Sequence, residues 1–508
     1  MNKITRREFL RGSAAVVAMG AIAPVMSVNA ESDEVVELTV HDIYNSTVVD
    51  FSLPAITRIQ EICGVHLTNT VASSATDDDQ AWTLMISSPD SMPDIIVSSS
   101  MENMEKLGAD GGLLVLNDYL DEYCPNIVAA FEKYPELKSA STACDGNIYE
   151  ICGMKEMVSS FTYVIRQDWL DAVGAEMPTT VDELHEVLLK FKSEDPNGNG
   201  DEIPVISRWQ SDFVGHILGL WDSGTGLLVR DGKVEFQPME ENFKVGMANV
   251  VQWYAEGLID PEVFTREDAR NVLYGENRGG FTIDWPASTT QYNQSLADTV
   301  PGFNNVVMGV PVDQNGNQYM KFKSTPYAGT GISINCKNVE AALTLIDFLY
   351  SEEGQILSTY GIEGESYTIE DGEYVFGDVI TSDEGGITSG RENFGCIHHL
   401  GGIDPVELEY AIVTNEETLE GYELYSENAD WYPTDLYNDY NFKYTSDELQ
   451  EVTLILSSIE SYVNEKCQSW ILGSSDFEAE YDSFISELSV RSVDRLIELA
   501  QAAYDRVQ

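Results

Sequence analysis

Asp195, Asn197 and Asn199 stand at alternate positions, Gly200 follows, and Asp201-Glu202 close the run. Short oxygen-bearing side chains on a tight turn converge on one point. The pattern matches the first half of an EF-hand-type calcium loop, with glycine at the sharp bend. A plain Asx/Gly turn between a helix and a strand would use the same residues, so both readings stand. Ca2+ held here would be structural. Arg166 and Asp168 could hydrogen-bond a polar ligand, or pair with each other and hold the fold together. His398-His399 is a weak metal signal, because adjacent side chains diverge and no HExxH or CxxC accompanies them. G-x-S-x-G and Walker loops are absent. Paired carboxylates carry no information in a chain with 86 acidic residues. No catalytic constellation is predicted.

The elements that must position these residues alternate in type. Residues 35–40 and 64–68 read as strands, 53–62 and 80–86 as helices, and 93–97 as a short buried strand. Residues 161–165 are strand-like, and 181–191 form a helix with Thr180 as N-cap. Further helices are predicted over 243–254, 341–349, 454–470 and 493–507, and the acidic stretch 381–440 reads as loop-rich. Alternating strands and helices imply an α/β fold with a parallel or mixed sheet, whose ligands sit beyond the carboxyl ends of the strands. Tyr44 and Asn45, after the first strand, and Ser98 and Ser99, after the third, are therefore candidates for a cleft wall.

The first 30 residues stand apart from this pattern. Arg6-Arg7 precede Phe9-Leu10, an apolar run covers 14–26, and Val28-Asn29-Ala30 supplies a small-residue exit. Those are the parts of a twin-arginine signal peptide cleaved after Ala30. The apolar run contains Gly20 and Pro24 and falls short of the roughly 20 residues a spanning helix needs. With the first cysteine at Cys63, a lipoprotein anchor is not expected, and the mature chain should be periplasmic or extracellular. Net charge is −58, which repels phosphate backbones and anionic lipid, so nucleic acid is excluded as a partner. Cys144 and Cys152 could pair across a short loop, but an odd count of seven with scattered spacing fits buried free thiols better.

Several segments together resemble a known family. They are Val164-Ile165-Arg166-Gln167-Asp168-Trp169-Leu170-Asp171, Pro178-Thr179-Thr180-Val181-Asp182-Glu183-Leu184, and Asp195 through Pro204. Trp253-Tyr254-Ala255-Glu256-Gly257-Leu258-Ile259-Asp260-Pro261-Glu262, Glu353-Gly354-Gln355, Tyr360 to Gly364 and the ending Gln501 to Arg506 follow in the same order. The chain resembles the family 1 extracellular solute-binding proteins of ABC transporters, in the long oligosaccharide-binding branch that includes alginate-oligosaccharide receptors. The resemblance implies a type II periplasmic-binding-protein-like fold, two α/β lobes on a multi-strand hinge with a helical C-terminal portion. Lobe 1 would comprise 31–150 and a return over 321–400; lobe 2 would comprise 151–320 and a return, with the C-terminal helices, over 401–508. In the family's calcium loop about two residues separate the Gly from the Asp-Glu pair; here Asp201-Glu202 follow Gly200 directly.

The implied function is capture of a sugar or oligosaccharide between the lobes by a monomeric receptor, and its delivery to the membrane permease. Sugar faces present C–H groups that pack on aromatic rings, so tryptophans are the natural contacts. Trp285, just past the strand-like 280–284, is the first candidate; Trp209 and Trp221 come next and Trp431 last. Trp169 and Trp253 lie in helical patterns and read as core. A secreted polysaccharide lyase or hydrolase would also need aromatics, calcium and export, and the same fold could take a peptide or other small solute.

Overall fold

Leu38 and Val40 are fully buried while Glu37 is exposed and Thr39 half-buried, and this alternation makes Val36–His41 a half-buried strand. The computed structural model describes residues 35–506 apart from 45–46, 99, 158–160, 209, 321–324, 371, 397–399, 414 and 432–441. The expected signal peptide over 1–30, Asn45, Ser99, Trp209 and His398-His399 lie outside the described residues.

Two sheets organise the chain. The first runs Ile403–Asp404, Glu150–Lys155, Thr325–Ile332, Ile95–Val97, Val36–His41 and Val65–Asn69. Val36–His41 is parallel to both of its neighbours, and Thr325–Ile332 is antiparallel to the two strands beside it. Pro54 at the first turn and left-handed Gly64 after the last bound the helix Pro54–Cys63, which packs Ile56 and Ile59 into the lobe 1 core. The second sheet runs Asn305–Met308, Thr162–Arg166, Gly279–Asp284 and Ile203–Val205. Its core takes in Trp169, Phe191, Trp253 and Phe281, together with Val463, Trp470, Phe484 and Leu496 from the C-terminal helices Ser446–Ile471, Phe477–Val490 and Val493–Asp505. The α/β class and the two-lobed arrangement are as expected.

The expected boundaries shift. Glu150–Lys155 is bonded into the first sheet, with Lys155 paired to Thr325 and Met154 to Pro326, so the chain leaves lobe 1 after Lys155 rather than at 151. It returns at Thr325 and leaves again after Asp404, whose strand pairs with Glu150–Lys155. Gly329 is required where these strands meet, because a Cβ there would stand 1.8 Å from the Ile151 carbonyl oxygen.

The stretch expected to be loop-rich contains the helices Gly386–Phe394, Val406–Ala411 and Glu416–Glu427. Asn415 caps the last by accepting from the Thr418 N–H, and Glu416 and Glu417 suit the positive end of the helix dipole. All seven cysteines are free, so Cys144 and Cys152 do not pair. Among the described residues no helix is long and apolar enough to cross a membrane.

Candidate functional site

Register across the second sheet builds the site. Gly279–Asp284 runs antiparallel to Thr162–Arg166 with Asp284 opposite Thr162. The residue after one strand therefore meets the residue before the other: the rings of Trp285 and Phe161 lie 4.7 Å apart at 58°. Ile203–Val205, parallel to Gly279–Asp284, leads through Arg208 into the short helix Phe213–Ile217. His216 on that helix meets the other side of Phe161 edge-on, at 5.1 Å and 77°.

Phe161 and His216 border a cavity of about 360 Å³, the size of a small-solute pocket. Phe161, Tyr163, His216, Tyr319 and Met320 give it aromatic and apolar walls, and Asp212, Gln237 and Glu460 add polar groups. Phe161 follows the first crossing between lobes and Met320 precedes the return, so the cavity sits where the connections leave lobe 2. Trp285, half-buried, is not among the lining residues but packs against the lining ring of Phe161.

Behind the aromatic edge lies a charged anchor. Asp284 is 1% exposed and accepts from Arg208 at 2.7 Å, from Arg270, from the Ser288 hydroxyl at 3.0 Å and from the Trp285 N–H at 2.7 Å. Two guanidinium groups thus meet at one buried carboxylate.

The other candidates divide. Trp221 is 2% exposed and packs against Trp253 at 5.3 Å, so it is a core residue; a ring that stacks on sugar needs an open face. Arg166 is 1% exposed, grips Asp168 with bonds of 2.8 and 2.6 Å, donates to Asn277 at 2.7 Å, and lies between the Trp169 and Phe303 rings. Its donors are consumed inside the lobe, which favours the structural pairing over a ligand contact. Ser98 lies at the carboxyl edge of the lobe 1 sheet with its hydroxyl engaged by Ser100 at 3.0 Å, and Tyr44 lies in the small hairpin after the first strand. Trp431, 9% exposed, packs on Tyr425.

The Asp195 loop lies at the opposite edge. It enters Ile203–Val205 at the strand's beginning, and its Asn197 amide donates to the Asn277 carbonyl, just before Gly279–Asp284. Six strand residues, about 20 Å, separate it from Trp285. Asp195 and Gly200 are left-handed, with φ of 52° and 71°, and the Asp195 carboxylate accepts the Gly200 N–H at 2.9 Å. That N–H and a hydrogen bond with the Glu202 carboxyl hold the Asp195 pKa down. Glu202 is 3% exposed; burial, followed by the hydrogen bond and charge of Asp195, pushes its pKa up, and its Oε1 has no partner. Asp201 pairs with Arg278 at 3.1 Å and accepts from the Asn197 amide at 3.3 Å. Among the described residues no three His, Cys, Asp or Glu side chains gather as a metal cluster. Two acids facing each other, one with an unsatisfied buried oxygen, nevertheless fit a hard cation.

The model of the bacterial extracellular solute-binding proteins matches residues 67–356, more than half of the chain. The chain belongs to that family. It is 26% identical over 496 residues to the fructooligosaccharide ABC transporter substrate-binding protein FusA of Streptococcus pneumoniae serotype 4, covering 89% of this chain and 86% of FusA. It is 28% identical over 326 residues to the polygalacturonan/rhamnogalacturonan-binding protein YtcQ of Bacillus subtilis, covering 62% and 63%. Among solved structures, alginate-binding protein AlgQ2 without calcium ion superposes with a TM-score of 0.80 at 29% identity, over 93% of this chain and 99% of AlgQ2. These relatives of the solute-binding protein are named as binders rather than enzymes.

None of the residues lining this cavity was among the candidates read from the sequence. Phe161 and Tyr319 flank the lobe crossings, and His216 sits on a five-residue helix. Register with a strand about 120 residues away places Phe161, and no local pattern encodes that.

Proposed function

We propose that this protein is an extracytoplasmic receptor of an ABC importer that captures an oligosaccharide between its lobes and presents it, without chemical change, to a membrane permease. The observation that carries the reading is the aromatic-walled cavity of about 360 Å³ at the lobe crossings, in a chain of this family. Its rings offer flat apolar faces for pyranose or furanose C–H groups, and Asp212, Gln237 and Glu460 offer partners for hydroxyls. Trp285 extends the aromatic edge. Arg208 and Arg270, organised by Asp284, brace it. FusA, YtcQ and AlgQ2, each named for a carbohydrate, support the ligand class. Tyr44, Asn45, Ser98 and Ser99 would supply the facing wall from lobe 1, and Trp209 a further ring.

Asp195, Asn197, Asn199 and Glu202 would hold a Ca2+ ion that ties the helix Val181–Glu194 to the strand Ile203–Val205. Such an ion supplies positive charge between two facing carboxylates and plays no part in sugar binding. The receptor would leave the cytoplasm by the twin-arginine route, lose residues 1–30, and act as a monomer.

A thermal-shift screen of residues 31–508 against neutral and acidic oligosaccharides tests this reading. A ligand at 100 times its Kd stabilises the folded state by about 2.7 kcal/mol, so one glycan class should raise Tm clearly. Response only to peptides or other solutes, or turnover of any glycan, would overturn it.

A further inference from the structure

Lys443 is 6% exposed, and lysine is almost never fully buried without partners. Its backbone belongs to lobe 2. The Lys443 N–H donates to the Ala503 carbonyl, Arg506 donates to the Lys443 carbonyl at 2.7 Å, and adjacent Phe442 packs with Val229, Val234 and Tyr504. Its ammonium group ends in lobe 1. Nζ donates to the Ala140 carbonyl at 3.1 Å, in a pocket that Lys443 shares with Glu105, Ser141, Tyr149 and Glu150. The void left beside it is about 10 Å³, room for one water at most.

Elsewhere the lobes also meet in a small apolar cluster, in which Leu408, Ala411 and Ile412 join Ala55, Tyr360 and Phe394. Among the described residues, the two main apolar clusters draw on one lobe each. Across the Lys443 contact the lining is polar, and the Ala140 carbonyl is the hydrogen-bond acceptor. Glu105 and Glu150 both face the Lys443 charge, and Cys144 lies near Arg506 and Glu448. Glu105 is fixed by the Cys144 N–H at 2.7 Å, and Glu150 by the Gly329 N–H at 2.9 Å. The Gly329 carbonyl in turn accepts the Ser98 N–H at 3.3 Å, which links the pocket to the carboxyl edge of the lobe 1 sheet.

We propose that Lys443 is a cross-lobe latch: a positioning residue, anchored in lobe 2, whose ammonium group seats in the Glu105–Glu150 pocket of lobe 1 and holds the lobes together. Separating the lobes draws the ammonium out of its pocket and returns it to water, so the latch sets the balance between open and closed receptor. Closure about the hinge is taken from the receptor reading. Because no sugar enters the test below, failure of the latch and failure of the carbohydrate reading are told apart.

Cys144 is a built-in reporter at this contact, and Cys63, partly buried in lobe 1 beside Glu353, is its control. The experiment follows alkylation of each cysteine by mass spectrometry on sugar-free residues 31–508, with small-angle scattering in parallel. Lys443→Met should speed Cys144 alkylation by about 10-fold and expand the particle, with Cys63 unchanged; Glu105→Gln, from the opposite lobe and in direct contact with the Cys144 backbone, is read by expansion of the particle in scattering. Exposure of core Cys467 would mark a variant as unfolded, and the Glu105→Gln result then decides. A wild-type Cys144 rate in folded Lys443→Met, or superposable scattering in the folded variants, would overturn the latch.

Discussion

The cleft-facing edges of the two lobes are built from different chemistry. Lobe 2 presents rings, Phe161, His216 and Trp285, braced by a buried Asp284 that organises two arginines. Lobe 1 presents the hydroxyl and backbone of Ser98 over a buried Glu150, held by the Gly329 N–H. Rings give contact area at low entropic cost, while small polar groups give adaptable hydrogen bonds. On the proposed receptor function, the difference would assign affinity to lobe 2 and closure to lobe 1.

The sharpest way to test that division is to separate tryptophans that carry stability from the one that carries affinity. Trp221→Ala empties a core site against Trp253 and should cost about 3–5 kcal/mol of stability, read by denaturant unfolding, while the folded fraction binds normally. Trp285→Ala should weaken sugar binding by about 10-fold or more with little change in Tm, since it removes an edge ring and leaves the core whole. Unchanged affinity would remove Trp285 from the site.

Glu150 sharpens the comparison through pH. Burial pushes its pKa up to about 8, from an ordinary carboxyl value near 4.5. Between those values the folded chain keeps a proton that the unfolded chain has released, so Glu150 lowers stability progressively as pH rises from 4.5 to 8. Glu150→Gln should flatten that part of a Tm-against-pH curve; an unaltered slope would show that the carboxyl is not buried as described. A chelator should lower Tm by a few degrees and Ca2+ restore it, with sugar affinity unchanged because the Asp195 loop is remote. Equal melting in both conditions would leave that loop an ordinary turn. The smallest effect is expected for Ser98→Ala, under about 1 kcal/mol in binding, since its hydroxyl already serves Ser100.

The sequence carried most of the fold because local signals agreed with the tertiary outcome. The Thr180–Glu183 capping box starts the helix Val181–Glu194, and alternation in 35–40 and glycine at 64 mark real boundaries. Acidic composition hid the helix Glu416–Glu427, although Asn415 was a legible cap. The site was harder to read. Trp221 and Trp285 are alike in type, and only packing separates a core ring from an edge ring. Arg166 likewise offered two roles, and its burial between Trp169 and Phe303 separates them.

The most direct test of the central claim is calorimetric titration of residues 31–508 with the oligosaccharide that gives the largest thermal shift, comparing wild type with Phe161→Ala. Saturable one-to-one binding, weakened about 10-fold or more in the variant without loss of folding, is the predicted result. Equal affinity in the two proteins would place the sugar elsewhere and contradict the assignment of affinity to the lobe 2 edge.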